Sequence, residues 1–330
     1  MFPTQLKTPI HLPKVGVGLR HVHYQDALDT PANIDFIELH AENFFAAGGA
    51  SRALLSDIKR HYDISLHATS LGLGSAMPAP QAQIQQLGDL IRLCQPIMVS
   101  DHACFSWAEI NGQPVHGGDL LPVPFNDETL AVMAANISRV QAILKRPILL
   151  ENLSAYLVLP GSTYSESEFL VALCRLTGCK LLIDINNLVV NAQNHALLQP
   201  NGGKVDVIGF TRQWLTAIPR DCVGELHLAG CTAVGEGELV IDDHSQAVSD
   251  DVWTLYRFAL ERFGAIATLI EWDNDLPCWQ TLVGEAAKAK AIALEVFTDV
   301  HSVDTQVAKQ VPSAHHPHHQ VMAEAVNDDA

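Results

Sequence analysis

The sequence is poor in basic residues and has no long apolar run. Its 330 residues include 20 Lys and Arg against 37 Asp and Glu, which gives a formal net charge of −17. A surface this acidic repels phosphate backbones, so we expect no nucleic-acid partner. No uncharged apolar stretch is long enough to cross a bilayer, so we predict no transmembrane helix and no membrane partner.

Processing signals and paired cysteines are also missing. The N-terminal stretch MFPTQLKTPIHLPKVG lacks the apolar segment of a secretory signal. The 7 cysteines form no CxxC pair, and their odd number favours reduced thiols over a disulfide framework. We therefore expect a cytoplasmic protein. Walker, Rossmann and GxSxG motifs are absent too, so nothing indicates a phosphate-binding loop or a serine nucleophile.

What the chain does contain is a regular alternation of short apolar runs and helical patterns. The apolar runs are nearly continuous, as in parallel strands that helices cover on the outside. The predicted strands span residues 15–20, 35–44, 64–68, 96–105, 147–153, 180–187, 224–230 and 267–273. The predicted helices span residues 83–94, 126–144, 165–178, 249–264 and 280–297.

Eight such units match the expected size of a (β/α)8 TIM-type barrel, an α/β fold. An open doubly wound sheet is the alternative, but it would more usually carry a glycine-rich loop after its first strand. We predict an N-terminal extension over residues 1–13 and a single barrel domain over residues 14–298. Residues 299–330 contain HHPHH and little apolar content, and we predict that this tail is disordered.

Nearly every predicted strand ends in a histidine or a carboxylate. In barrels of this type the chemistry lies at the C-terminal ends of the strands, which converge on one mouth. The residues at these ends are Glu38, His40, Glu42, His67, Asp101, His102, Glu151, Asn152, Asp184, Asn186, Asn187, Glu225, His227, Glu271 and Asp273. Loops just beyond the strands add His195, Asp242, Asp243 and His244.

So many ionisable groups in one partly dry cavity would be very unfavourable unless cations neutralised them. A single catalytic zinc needs only about three protein ligands, so we predict a site for more than one metal ion. Imidazole and carboxylate ligands without thiolate suit iron, manganese or zinc. Some of these residues also have a purely structural interpretation: Asn186 and Asn187 are common turn formers, and Glu271 and Asp273 could belong to an ion pair.

At these residues the sequence resembles the multinuclear non-heme iron-dependent oxidase family, typified by the methanobactin biosynthesis oxidase. The resemblance covers about residues 14–298 and rests on nine segments in a fixed order, which together are highly specific. They are GVGLR (16–20), IELHAENFF (37–45), SLHATSLGLGS (65–75), SDHACFS (100–106), LLENLSAY (149–156), LIDINNLVVNAQNH (182–195), ELHLAG (225–230), IDDHS (241–245) and LIEWDNDLP (269–277). One position departs from the family pattern, because Cys231 stands where we expect a histidine.

The resemblance implies a TIM-type barrel that holds two or three irons in mixed Fe(II)/Fe(III) states. By matching motifs it implies metal-ligand roles for ten residues. They are His67, His102, Glu151, Asp184, Asn187, His195, His227, Asp242, His244 and Glu271. Asp101, Asn152 and Asn186 would orient these ligands or face the substrate.

The resemblance also implies an activity and its partners. Members of the family use dioxygen to modify cysteine, or sometimes another residue, in ribosomally made precursor peptides. They usually work with a separate partner protein that recognises the leader of the precursor. We therefore expect dioxygen as co-substrate, a precursor peptide that contains cysteine, and a leader-binding partner protein.

Two other functions share the pattern of strand-end ligands. The first is a manganese- or zinc-dependent barrel enzyme, either a sugar isomerase or a phosphoesterase. The acidic charge balance argues against a nuclease, and the ligands outnumber those of a two-metal isomerase. The second is a metal-storage protein, which would have filled coordination spheres and would consume no dioxygen.

Overall fold

The computed structural model describes residues 11–157, 159–198, 205–235 and 237–309. The strands of the barrel are β1 (Val15–Gly18), β2 (Phe36–His40), β3 (Asp63–His67), β4 (Met98–His102), β7 (Leu149–Glu151), β8 (Lys180–Asp184), β9 (Val223–Leu228) and β10 (Ala267–Ile270). These eight parallel strands close into a barrel in the order β1-β2-β3-β4-β7-β8-β9-β10, with β10 paired to β1. The strands β5 (Phe105–Ile110) and β6 (Gln113–Leu121) form an antiparallel hairpin outside the barrel. The predicted TIM-type barrel is confirmed.

Helices follow most of the strands and cover the outside of the barrel. They are α1 (Tyr24–Asp29), α2 (Ala50–Ile58), α3 (Gln81–Cys94), α4 (Asp127–Leu144), α5 (Glu166–Thr177), α6 (Ile185–Leu198), α7 (Val207–Ala217), α8 (Asp250–Phe263) and α9 (Trp279–Lys309), with short 3-10 helices at His21–His23, Ala41–Phe44 and Arg220–Cys222. Within the described part of the chain, no helix is both long and apolar enough to cross a membrane.

The helix boundaries follow from capping chemistry in the sequence. The Ser165 hydroxyl accepts a hydrogen bond from the backbone N–H of Glu168, whose carboxylate accepts one from the N–H of Ser165. This reciprocal capping box satisfies two amides that have no partner inside the helix. At the other end of α5, Gly178 takes a left-handed conformation with φ 74°, which glycine adopts without steric penalty. The predicted helix over residues 165–178 is confirmed.

Strand register brings the ends of neighbouring strands into one layer. His40 pairs with His67 between β2 and β3, and Asp184 pairs with His227 between β8 and β9. Because side chains alternate along a strand, the residue two positions earlier points to the same side. Glu38 and Glu225 therefore lie one layer deeper in the barrel than His40 and His227.

The residues between these inward-facing positions form the core between sheet and helices. Leu66, Leu150 and Leu226 lie in three barrel strands and are fully buried there. Burying such a side chain contributes about 1.5–3 kcal/mol relative to leaving it exposed. The barrel is therefore held together by its outward-facing leucines, while its interior near the mouth is left to polar side chains.

Several sequence-based assignments differ from the structure. The strand predicted over residues 180–187 ends at Asp184, because its carboxylate accepts a hydrogen bond of 2.7 Å from the N–H of Asn187 and caps α6. The β5–β6 hairpin was not predicted. Helix α9 continues to Lys309, past the predicted domain end at residue 298. Residues 1–10 and 310–330, including HHPHH, lie outside the described residues.

Candidate metal centre

Three side chains from neighbouring strands point their ligand atoms at a single spot. Nε2 of His67 lies 3.4 Å from Oε2 of Glu151 and 3.3 Å from Nε2 of His102, and Nε2 of His102 lies 3.3 Å from the same carboxylate oxygen. Ligands bound at about 2.1 Å with tetrahedral angles are separated by about 3.4 Å. The spacing of these atoms therefore matches three ligands of one ion.

The electrostatics of this group also indicate a cation. Burial lowers the pKa of His102, but the nearby carboxylates of Glu151 and Asp101 outweigh it and raise the pKa to about 9. Burial raises the pKa of Glu151 to about 8, although His102 and His227 act in the opposite direction. Oε2 of Glu151 is buried without a hydrogen-bond partner. A bound cation would stabilise this carboxylate in its ionised form.

A second group shares Glu151 with the first. Ligand atoms of Glu151, Asp184, His227 and Glu271 lie within 4.8 Å of one another, and all four residues are buried. Nδ1 of His227 is 2.9 Å from Oε2 of Glu271. Burial raises the pKa of Asp184 to about 7, and its Oδ2 has no hydrogen-bond partner. Because Glu151 belongs to both groups, it would be shared by two ions if both groups were occupied.

A third group lies at the beginning of α6 and in the loop after β9. Nε2 of His244 is 2.8 Å from Oδ1 of Asp242 and 3.7 Å from Oδ2 of Asp184. The side-chain oxygen of Asn187 is buried and has no hydrogen-bond partner. His244 has φ 43°, in the left-handed region that residues other than glycine rarely adopt. Such strain persists where the surroundings enforce it, and it is common at functional sites.

All three groups border one cavity of about 400 Å³ at the mouth of the barrel. Leu120, Leu121, Leu153 and Tyr156 are among the other residues that line it. The hydroxyl of Tyr156 accepts a hydrogen bond of 2.9 Å from the backbone N–H of Asp242. The cavity thus has a ligand-rich floor and a partly apolar wall.

The three residues predicted to orient ligands all make such contacts. The Asn152 amide bonds both the N–H and the C=O of Asp184, at 2.9 and 3.1 Å. The Asn186 amide donates to Oδ1 of Asp242 at 2.8 Å. The Asp101 carboxylate accepts from the N–H groups of Leu71 and His102, at 3.0 and 2.6 Å. Each of the three residues thus contacts the backbone or the side chain of at least one candidate ligand.

The structure adds residues that sequence reasoning did not select. Ser100 lies 2.7 Å from Nδ1 of His67 and so fixes the direction of that ring. Buried Arg20 donates to Asp273 at 2.7 Å and to Glu271 at 3.4 Å. The sequence offered a signal for both, since Arg20 closes GVGLR and Ser100 precedes Asp101, but neither is a typical metal ligand.

His195 is in none of the donor clusters that the described residues form. It lies on α6, and its ring stacks on Phe210 of α7 with 5.5 Å between ring centroids. Eight residues of helix separate it from Asn187, which corresponds to about 12 Å along the axis. Cys231, at the position that departs from the family pattern, lines a neighbouring cavity of about 440 Å³ together with Asn186.

Replacing His195 with Ala is therefore expected to leave the metal content unchanged. Replacing His67 with Ala should remove one ion, since His67 supplies an atom to the first group. Elemental analysis of the wild type and both variants, purified in parallel, measures this. Loss of an ion from His195→Ala would instead support the predicted ligand role of His195.

The chemistry of the donors limits which ions fit. The groups offer imidazole nitrogens and carboxylate or amide oxygens, which suit iron, manganese and zinc. Several buried donor atoms have no hydrogen-bond partner, among them Oε2 of Glu151, Oδ2 of Asp184 and Oδ1 of Asn187. Leaving such atoms unpaired is costly, so the residues present fit a cluster of these ions.

The sequence is similar to a known protein family over most of its length. A family model described as "RiPP precursor modification enzyme MbnB/TglH/ChrH" matches residues 14–294. A UPF0276 protein of Chromobacterium violaceum is 43% identical over 277 residues, covering 84% of this chain and 94% of that protein. A UPF0276 protein of Vibrio vulnificus (strain YJ016) is 42% identical over 283 residues, covering 85% of this chain and 91% of that protein.

Solved structures with the same fold are much more distant in sequence. Endonuclease IV from Thermus thermophilus superposes with a TM-score of 0.52 at 14% identity, over 86% of this chain and 99% of that chain. A 3-keto-D-glucoside 4-epimerase from E. coli gives a TM-score of 0.52 at 12% identity, over 84% of this chain and 99% of that chain. At this level of identity the likeness shows the barrel fold alone.

Proposed function

We propose that this chain, which belongs to the RiPP precursor modification enzyme family MbnB/TglH/ChrH, is a multinuclear iron-dependent oxidase. RiPPs are ribosomally synthesised and post-translationally modified peptides. The proposed reaction uses dioxygen to modify a cysteine, or another residue, of a precursor peptide. The observation that carries the proposal is the convergence of imidazole and carboxylate donors on one cavity, in two groups that share Glu151 and a third around His244.

Nine residues are the proposed ligands in this arrangement. They are His67, His102, Glu151, Asp184, Asn187, His227, Asp242, His244 and Glu271. Glu151 would be shared between the first two groups, and Asp184 would join the second group to the third. Iron bound here would supply dioxygen activation and the electrons that dioxygen accepts.

The remaining residues of the cavity would position the peptide. Leu120, Leu121 and Leu153 give the entering residue an apolar wall and exclude water from one side of the cavity. Tyr156 accepts hydrogen bonds from Asp242 and Ser154, so its own proton is available to a polar atom of the substrate. A separate leader-binding protein is part of the proposal, because a cavity of this size holds only a short stretch of peptide.

The proposal predicts about two or three irons per chain when the protein is purified without oxygen. Elemental analysis gives the metal content, and an optical spectrum recorded before and after the admission of air tests the reaction with dioxygen. We expect the absorption to change in air. Stoichiometric zinc or manganese without any response to air would instead favour a metal-dependent isomerase or phosphoesterase, which fits the fold of the neighbours but has no further support.

A further inference from the structure

A pair of buried carboxyl groups lies directly beneath the metal centre. Glu38 on β2 and Glu225 on β9 are fully buried, one layer deeper in the barrel than the proposed ligands. The Ser65 hydroxyl donates to Oε2 of Glu38 at 3.1 Å. Oε1 of Glu38 and both carboxyl oxygens of Glu225 have no hydrogen-bond partner. The proposed function assigns no role to either residue.

His227 connects this pair to the metal centre through its two ring nitrogens. Nδ1 faces upward and lies 2.9 Å from Oε2 of Glu271, a proposed ligand. Nε2 faces downward and lies 3.7 Å from Oε1 of Glu38 and 3.9 Å from Oε1 of Glu225. It has no hydrogen-bond partner. The two ring nitrogens of His227 thus lie next to different groups, a proposed ligand on one side and the carboxyl pair on the other.

We propose that Glu38 and Glu225 are positioning residues, which hold the proton of His227 on Nε2 and so direct the lone pair of Nδ1 at the metal. A ligating histidine commonly donates its other N–H to a carboxylate, which fixes the orientation of the ring. Closing the gap from Nε2 to Glu38 to an ordinary hydrogen bond needs a movement of about 0.8 Å.

The alternative is that the pair binds a cation of its own through Nε2. Glu38, Glu225 and His227 do place ligand atoms within 4.8 Å of one another. However, an imidazole that ligates one ion through Nδ1 and another through Nε2 must lose both of its ring protons. The positioning role keeps the ring neutral and places two carboxyls where they counter the positive charge of the centre above.

The first experiment measures zinc binding by the metal-free full chain. We expect Glu38→Gln and Glu225→Gln, singly and together, to weaken the binding of one ion by about 10–100-fold. The matched control is Glu166→Gln on α5, a carboxylate that accepts a hydrogen bond from Trp214 and belongs to none of the donor groups. Its zinc affinity should stay within about twofold of the wild type. Unchanged affinity in the Glu38→Gln, Glu225→Gln double variant would overturn the proposal.

A second comparison separates action through His227 from a general structural role. In a His227→Ala background, Glu225→Gln should cause no further loss of affinity, because the ring that it positions is gone. The same loss in both backgrounds would show that Glu225 merely supports the barrel, contrary to the proposal. This double-mutant comparison isolates the coupling between the two residues.

A third measurement needs no variant and therefore does not depend on folding. In zinc-loaded wild type labelled with ¹⁵N-histidine, NMR should show a protonated Nε2 and a metal-bound Nδ1 for His227. A metal-bound Nε2 would refute the positioning role and assign the pair to a metal site. The inference rests on the proposed metal centre but not on iron or dioxygen, so failure of the test in air leaves these zinc measurements valid.

Discussion

Glu151→Gln is expected to remove two metal ions from the protein at once. Glu151 is the one residue common to the first two groups of donors, and its Oε2 lies 3.4 and 3.3 Å from the imidazoles of His67 and His102. A neutral amide cannot bridge two cations as a carboxylate does. We expect the metal content to fall by about two ions per chain and the proposed oxidase activity to disappear.

The same substitution should have little effect on the metal-free protein. Because burial raises the pKa of Glu151, its carboxyl group takes up a proton more readily than an exposed one when no cation is present. A glutamine amide then has similar shape and charge, so the free energy of unfolding should change by less than about 1 kcal/mol. In the wild type each site should add about 2.7 kcal/mol when free metal exceeds the dissociation constant a hundredfold.

Urea unfolding with and without metal, combined with elemental analysis, measures both effects. Glu166→Gln serves as control, since Glu166 bonds Trp214 and belongs to none of the three donor groups. If Glu151→Gln kept both ions and the full stabilisation by metal, Glu151 would not be a shared ligand. The first two groups would then have to be held by separate residues.

The second large effect is expected from Arg20→Met. Arg20 is 8% exposed and donates to Oδ1 of Asp273 from Nε at 2.7 Å. Its Nη2 also reaches Oε1 of Glu271 at 3.4 Å. Removing the cation leaves both carboxylates without this partner in a poorly solvated place. Because Asp273 keeps some access to water, we expect the free energy of unfolding to fall by about 3 kcal/mol, near the lower end of the range for breaking a buried ion pair.

The matched control is Arg257→Met, which breaks an ion pair with Glu295 at the surface. The two side chains are 41% and 61% exposed, so solvent screens their attraction. Removing this surface ion pair should change the free energy of unfolding by less than about 1 kcal/mol. Urea unfolding of both metal-free variants provides the comparison. Equal effects would mean that Arg20 does not hold Asp273 and Glu271 in place.

The barrel could be predicted because its strands are encoded locally. Nearly continuous apolar runs such as Leu181–Ile183 fit strands that are covered on the outside, and caps such as Ser165 and Gly178 fix the helices between them. The β5–β6 hairpin was not predicted from the sequence, because most of its residues are exposed and its pairing is irregular between Phe105 and Trp107. Such strands lack the apolar pattern that marks the others.

The sequence was enough to name most residues of the candidate site, but not to show how they divide into groups of donors. Parallel strands of a barrel end at one mouth, so His67, Glu151 and His227 could be named together from their positions at strand ends. His195 was placed with them because LIDINNLVVNAQNH matches the family motif, and its role as a ligand stays a prediction. A motif match does not show which way a side chain faces, and the ring of His195 stacks on Phe210.

The sequence by itself therefore determined the fold, the family and the chemical character of the site, since each depends on residue types and their order. Only the tertiary structure decided that Glu151 joins two groups of donors, that Arg20 pairs with Asp273, and that Glu38 and Glu225 lie beneath His227. These relations join residues on different strands. They depend on strand register and on the direction of each side chain across the barrel, which no local pattern encodes.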